Sequence, residues 1–466
     1  MGSLNDEGIL IAIGASAPPF SAIDASSEAR KLASSWLSAA IKALTLLGLL
    51  FLTGCGEKED IVPGVRLDLR SSIDTPVLAS KNLTLSKVKI NKNWTHRNGS
   101  QSHYIEHPAL SGLPVEIWSE KIGVGNKKRQ RLSADPIIAK NRIFTLDSNF
   151  GVTAFDTKGS KVWTADLTST KSPKDKISGG GLAYSNDRLA VSTGAGEVVL
   201  LDAMTGNILW RHDVQGSISA PPTYSNGMIV VMTGGSQAIA LNAQNGRVVW
   251  TQESNTTGAG ILGAGTPAIS GNLVVLPFTS GEVLAVSLDS GLQSWSQVIN
   301  GKRVGSANGY VKAVSGDPVI VGKTVYAGTN SGRLAAIDIK SGMRIWTKKE
   351  GAIGPVWISN NALFVLTDQQ KLKRLDSKNG AEVWTYDLPI YKNPKRSTGK
   401  FGHFSPVLAG NKLYVAGTDK KIRVFDPKTG ELLNLIPLRG GAASQLAIAN
   451  ERMYILSRAG KLIAFQ

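Results

Sequence analysis

The chain has 466 residues, 42% of them apolar and 19% charged, with a formal net charge of +17. That is enough apolar material to bury a real core, and only one stretch could enter a membrane; the single cysteine excludes any internal disulfide. Fifty glycines and ten tryptophans among few other aromatics suit many short strands joined by turns better than helices, while the excess positive charge attracts anionic partners without naming one.

In chain order, the first feature is ALTLLGLLFLTG, residues 43–54, which follows Lys42 and ends at Cys55. Twelve uncharged residues fall short of the roughly 20 that span a bilayer but suit the apolar core of an export signal. Leu52-Thr53-Gly54-Cys55 resembles a bacterial lipobox, which implies cleavage before Cys55 and lipidation of its thiol. Two acyl chains anchor stably where one does not. The resemblance makes residues 1–54 a signal peptide. The 42 residues ahead of the apolar run are too many for a charged leader, so the expectation is an over-extended N-terminus from an upstream start, with residues 1 to about 29 absent from the cell. Gly56, where Asp would favour inner-membrane retention in such lipoproteins, points to the outer membrane. A mature chain from Cys55 keeps 49 basic and 31 acidic side chains, or +18. Residues 55–93 read as a polar, flexible, lipid-anchored tether.

From residue 94 the chain repeats itself. GEVVLLDAMTGNILW (196–210), GEVLAVSLDSGLQSW (281–295) and GRLAAIDIKSGMRIW (332–346) are copies of one phrase, with four looser copies elsewhere. A half copy, GKLIAFQ, ends the chain, and its missing half, PVEIW (114–118), opens the repeat region, making eight units. Trp118, Trp163, Trp210, Trp250, Trp295, Trp346 and Trp384 recur every 38 to 51 residues, the spacing of propeller blades. The V-x-A-x-D alternation is a half-buried strand. Asp202, Asp338, Asp376 and Asp426 suit Asx-turns, and a Gly four residues later permits positive φ at the corner. The Trp four residues beyond can wedge against a neighbouring unit. A second phrase before each copy, such as DPIIAKNRIF or TPAISGNLVV, reads as two more strands about a Gly or Asn turn. Four strands in each of eight units give an all-β, eight-bladed β-propeller over 94–466, closed by pairing the first Trp-bearing strand with the last. Asn434 replaces Trp in the seventh copy, so a weaker blade contact is expected there.

The phrase at 196–210 resembles the pyrroloquinoline-quinone-type (PQQ-like) repeat A-x-D-x-x-T-G-x-x-x-W. Lipobox, PGVR-containing tether, NWTHRNGSQSH (93–103) and a full ring of this length together resemble the BamB family, lipoproteins of the outer-membrane β-barrel assembly machinery. That resemblance implies a non-enzymatic scaffold, lipid-anchored to the outer membrane and facing the periplasm. It would dock on the periplasmic domains of BamA among the other BAM components and help nascent outer-membrane proteins reach the inserting barrel. The family's loop contacts correspond here to GAGILGAGTP and KAVSGDP, which retain Ile261 and Leu262, lack the arginine, and place Asp317 near the acidic position.

Quinoprotein dehydrogenases are the competing branch; their resemblance implies a vicinal disulfide, which one cysteine cannot supply. No catalytic residue, metal set or cofactor is assigned: His96, His103, His107, His212 and His403 show no ligand spacing, and GAGILG (258–263) lacks the helix a dinucleotide loop needs. The basic runs KKRQR (127–131), KLKR (371–374), KNPKR (392–396) and KKIR (420–423) read mainly as solvated faces. Anionic lipid or an acidic protein suits them better than nucleic acid in an exported chain. A propeller serving another envelope partner, such as peptidoglycan or a polysaccharide exporter, is the third reading.

Overall fold

Each repeat folds as a meander of four short strands, because its apolar residues alternate and its turns carry Gly, Asn or Asp. The computed structural model describes residues 82–128, 130–168, 178–234, 237–254, 265–301 and 313–466. Among these residues lie eight four-stranded antiparallel sheets and one two-stranded hairpin. Blades 1 to 7 span 137–166, 180–213, 223–253, 268–298, 314–348, 357–387 and 407–437. Blade 8 combines Ala447–Ala449, Arg452–Ser457 and Lys461–Phe465 with Glu116–Lys121 from the other end of the repeat region.

The first strands of neighbouring blades touch one another and line the axis, whereas the fourth strands are alternately exposed and form the rim. Cores lie between blades rather than within them. In Glu197–Asp202, Val199 and Leu201 pack toward blade 1 while Val198 and Leu200 pack toward blade 3. An inner strand is therefore apolar on both faces, since neither meets water.

The split blade closes the ring as the repeat arithmetic requires. Trp118 pairs with Ala464 and Lys121 with Lys461 in antiparallel register. Val115 and Gln466 exchange backbone hydrogen bonds of 2.9 and 3.0 Å at one end of the pair. No sheet edge is left at the seam for another chain to extend.

Every tryptophan of the series docks on the next blade. The indole Nε1 of Trp118, Trp163, Trp210, Trp250, Trp295, Trp346 and Trp384 donates to a carbonyl in the third turn of the following blade, at 2.7 to 3.2 Å. The ring lies over that turn's glycine. At Gly291, with φ of +71°, an added Cβ would sit 2.8 Å from Trp250 Cγ. In five of the seven turns an Asp precedes that glycine and accepts from turn amides, as Asp338 does from Lys340 and Ser341; Asn242 does the same before Gly246, and Ser287 stands at that place before Gly291. Asn434 now has a reason. The blade that follows it is the split one, whose third turn is replaced by the two ends, Gln466 and Val115, so an indole there would have no turn to cover.

Two expectations need correction. Leu83 and Leu85, assigned to the tether, pack on the core cluster shared by blades 6, 7, 8 and 1, so ordered contact with the disc begins before residue 94. The KLKR run is not a solvated face: Lys373 and Arg374 are 6% and 0% exposed. They stand on the third strand of blade 6, between two neighbours. Lys373 Nζ meets Glu350 at 2.8 Å and Glu382 at 2.6 Å, and Arg374 donates to the carbonyl of Asn82 at 3.0 Å.

Candidate functional site

A propeller offers two faces and an axis. One face carries the turns between first and second and between third and fourth strands; the other carries the second-to-third turns and the links between blades. The inner edge of each first strand would leave backbone groups unpaired around the axis, and buried groups of that kind must find partners. Residues 82–110 supply them.

This segment runs once round the axis on the turn face and bonds to every blade. Asn361 of blade 6 meets the carbonyl of Asn82, and Ser359 accepts from Ser86. Asn91 donates to Ile448 of blade 8. Trp94 exchanges backbone bonds with Ile138 of blade 1 at 2.6 and 2.8 Å. The amide of Tyr184 in blade 2 donates to Thr95, those of Ile269 and Ile320 in blades 4 and 5 to Gln101 and Ser102, and that of Gly410 in the first turn of blade 7 to Pro108. His96 meets Tyr224 of blade 3, with Nε2 3.0 Å from its carbonyl and 3.1 Å from its amide. The segment is thus a strap across one end of the axis. Trp94 and Trp357 of blade 6, both almost fully buried, stack beneath it with ring centres 6.3 Å apart.

From the strap, Arg97 reaches two aspartates beside the first strands, Asp135 just ahead of that of blade 1 and Asp317 within that of blade 5. Asp135 and Asp317 are both nearly buried, and each uses Oδ1 to accept from the preceding blade, from the amides of Gln445 and Thr266 respectively. Their Oδ2 atoms lie 3.7 and 2.9 Å from Arg97 Nε. The N–H is not aimed at either oxygen, so this is contact between charges rather than a directed hydrogen bond. Burial raises the pKa of Asp135, with Arg97 opposing the shift. Burial works against the Arg97 charge, yet Asp317 and Asp135 together carry its pKa above the ordinary value.

Burial also holds the strap's His96 neutral, with its pKa lowered to about 3 and nearby His103 adding to the shift. His403, between blades 6 and 7, is lowered to about 4, first by burial and then by Arg423. Its Nδ1 lies 2.9 Å from Gln370 Oε1. Both folded rings refuse protons that unfolded histidines accept below about 6.5. The unfolded state therefore binds more protons as pH falls, and stability present above pH 6.5 is lost progressively toward pH 4. Replacing His403 by Gln should flatten the fall in unfolding free energy between pH 6 and 5 by roughly 1 kcal/mol per pH unit. Denaturant titrations at the two pH values measure it, and an unchanged slope would mean that His403 is charged in the fold.

The opposite, loop face carries two groups of exposed basic residues, while further exposed lysines such as Lys158, Lys340 and Lys428 lie in third turns on the turn face. Lys127, Lys128 and Arg131 lie in the link from blade 8 to blade 1. Between blades 6 and 7 the chain projects a hairpin, Tyr391–Asn393 with Thr398–Lys400, on which Lys392, Lys395, Arg396 and Lys400 are all exposed. No acidic residue occurs between 388 and 418.

Of the residues singled out from sequence, the seven tryptophans fall at blade junctions. Cys55, Ile261 and Leu262 lie outside the described residues. Asp317 does not stand on an exposed loop: it is 2% exposed and faces Arg97, so an acidic partner contact at that position is corrected to an axial ion pair. The strap was missed as a structure; its signal was NWTHRNGSQSH, a tryptophan and two histidines amid small polar residues just ahead of the first repeat. Among the described residues no group of three or more His, Cys, Asp or Glu could hold a metal ion.

The family described as outer membrane protein assembly factor BamB matches residues 148–386, just over half of the chain. An assembly factor BamB from Shewanella oneidensis is 24% identical over 359 residues, covering 75% of this chain and 88% of its own length. Among solved structures, BamB from Moraxella catarrhalis superposes with a TM-score of 0.65 at 18% identity, covering 76% of this chain and all of the other. The quinohemoprotein alcohol dehydrogenase of Comamonas testosteroni reaches 0.62 at 13% identity, with 80% of each chain covered, a likeness of fold alone.

Proposed function

Because this chain belongs to the family of outer membrane protein assembly factor BamB, we propose that it is a non-enzymatic scaffold of the β-barrel assembly machinery. It would be lipid-anchored through Cys55 to the outer membrane and dock on the periplasmic domains of BamA. The observation that carries this reading is the strap across one end of the axis. The strap and the Trp94–Trp357 pair occupy the axial end on the turn face, so the disc offers surfaces rather than a chamber for chemistry. A closed ring also holds its loops in fixed positions, which suits docking. The strap's described start, at Asn82, lies beside blade 6 on the turn face, and the loop face with its basic hairpin is the one left for a protein partner.

Affinity purification of the tagged chain from membranes solubilised in mild detergent should recover BamA together with other BAM components, identified by mass spectrometry. Recovery of the chain from the membrane fraction without BamA would overturn the reading. A quinone-dependent dehydrogenase shares the fold, and adding pyrroloquinoline quinone with calcium separates the two: the scaffold reading expects no absorbance change and no dye reduction.

A further inference from the structure

We propose that the axis of the ring is a guanidinium-binding site, built by Asp135 and Asp317 from opposite blades and filled in cis by Arg97. Asp135 precedes the first strand of blade 1 and Asp317 lies within the first strand of blade 5, four blades apart in a ring of eight, so the two carboxylates face each other across the axis. Each stands immediately before a proline, Pro136 or Pro318, at the same place in its repeat. Each is oriented by the amide of the preceding blade, Gln445 to Asp135 at 2.7 Å and Thr266 to Asp317 at 2.6 Å. That leaves both Oδ2 atoms turned to one cation. Arg97 reaches them from the turn Arg97–Gly99, where Asn98 adopts φ of +54°. Thr266 Oγ1 and Gln445 Oε1 are buried without a hydrogen-bond partner beside the same two aspartates, further polar capacity that an apolar channel would lack.

Two carboxylates against one guanidinium leave the site short of positive charge, so it selects cations and rejects anions. A guanidinium is more weakly hydrated than a compact ammonium, so it loses less water on entering between two buried carboxylates. The clasp ties blades 1 and 8 to blades 4 and 5 through a single side chain and pins the strap whose other contacts ring the axis. His103 supports it from the strap, with Nδ1 2.7 Å from the carbonyl of Pro318. The Arg97 side chain retains one-fifth of its exposure, so the axis is reachable by small molecules.

The test is chemical rescue in the full-length, detergent-solubilised chain. Arg97→Ala leaves two buried carboxylates unpaired and should lower the thermal midpoint by about 5 °C. Methylguanidinium at millimolar concentration should raise the variant's midpoint saturably, methylammonium should do so less, and the unsubstituted chain should respond to neither. In Arg97→Ala/Asp317→Asn the rescue should disappear. An unchanged midpoint in Arg97→Ala, or equal rescue in the double variant, overturns the proposal. Should Arg97→Ala fail to accumulate folded, the triple variant with Asp135→Asn and Asp317→Asn should accumulate, because it leaves no unpaired charge; failure of the triple variant as well contradicts a charge-built site.

Discussion

Deleting Lys461–Gln466 should abolish cooperative folding of the whole ring. These six residues are 1.3% of the chain, but they form the third strand of the split blade, with Arg452–Ser457 on one side and Glu116–Lys121 on the other. Leu462, Ile463 and Phe465 are at most 1% exposed. Losing a buried Leu, Ile or Phe side chain costs about 2–5 kcal/mol each, so the three together approach the 5–15 kcal/mol by which a whole domain is stable. The deletion also strips Glu116–Lys121 of its only sheet partner and opens two edges. Thermal unfolding followed by circular dichroism, with limited proteolysis beside it, measures the outcome. A truncated chain that still melts cooperatively within a few degrees of the full one would show that the seam does not close the ring.

Trp250→Ala should cost about 3–5 kcal/mol, the usual loss for a buried aromatic. Trp250 is 7% exposed, its indole bonds Leu288 O at 2.7 Å, and its ring covers Gly291. Gly291→Ala should cost roughly 2 kcal/mol, since the new Cβ is strained at positive φ and also strikes the ring. The pair should be less than additive, because removing the indole removes the collision. Urea unfolding of the two single variants and the double variant decides it. Single losses below about 1 kcal/mol, or strict additivity, would mean that the indole and the glycine are not coupled.

The blades were legible because their information is local. Strand alternation, the Asp of the third turn, its Gly and the following Trp all fall within fifteen residues, and even the ring closure could be read from a half repeat at each end. The missing Trp at Asn434 was visible but not interpretable until the next blade proved to be the one without a third turn. The strap was not legible, since its partners lie in eight separate blades up to hundreds of residues away. A segment that bonds through backbone groups to other segments needs no periodicity of its own. Lys373, Arg374 and Asp317 misled for a related reason. Charge usually marks surface, but here each charge lies between blades or on the axis, paired with Glu350 and Glu382, with Asn82, or with Arg97. Those partners are fixed by the closed ring and not by neighbouring sequence.

The ring itself is open to a direct chemical measurement. Lys121 and Lys461 are register partners across the seam. Antiparallel partners stand about 4.5–5.5 Å apart at Cα, within the span a disulfide bridges. In a chain carrying Cys55→Ser, Lys121→Cys and Lys461→Cys, mild oxidation should close one bridge within each chain, seen as faster migration on a non-reducing gel and protection of both thiols from alkylation. Two freely alkylated thiols, or bridges formed only between chains, would show that the two ends of the repeat region do not share a blade.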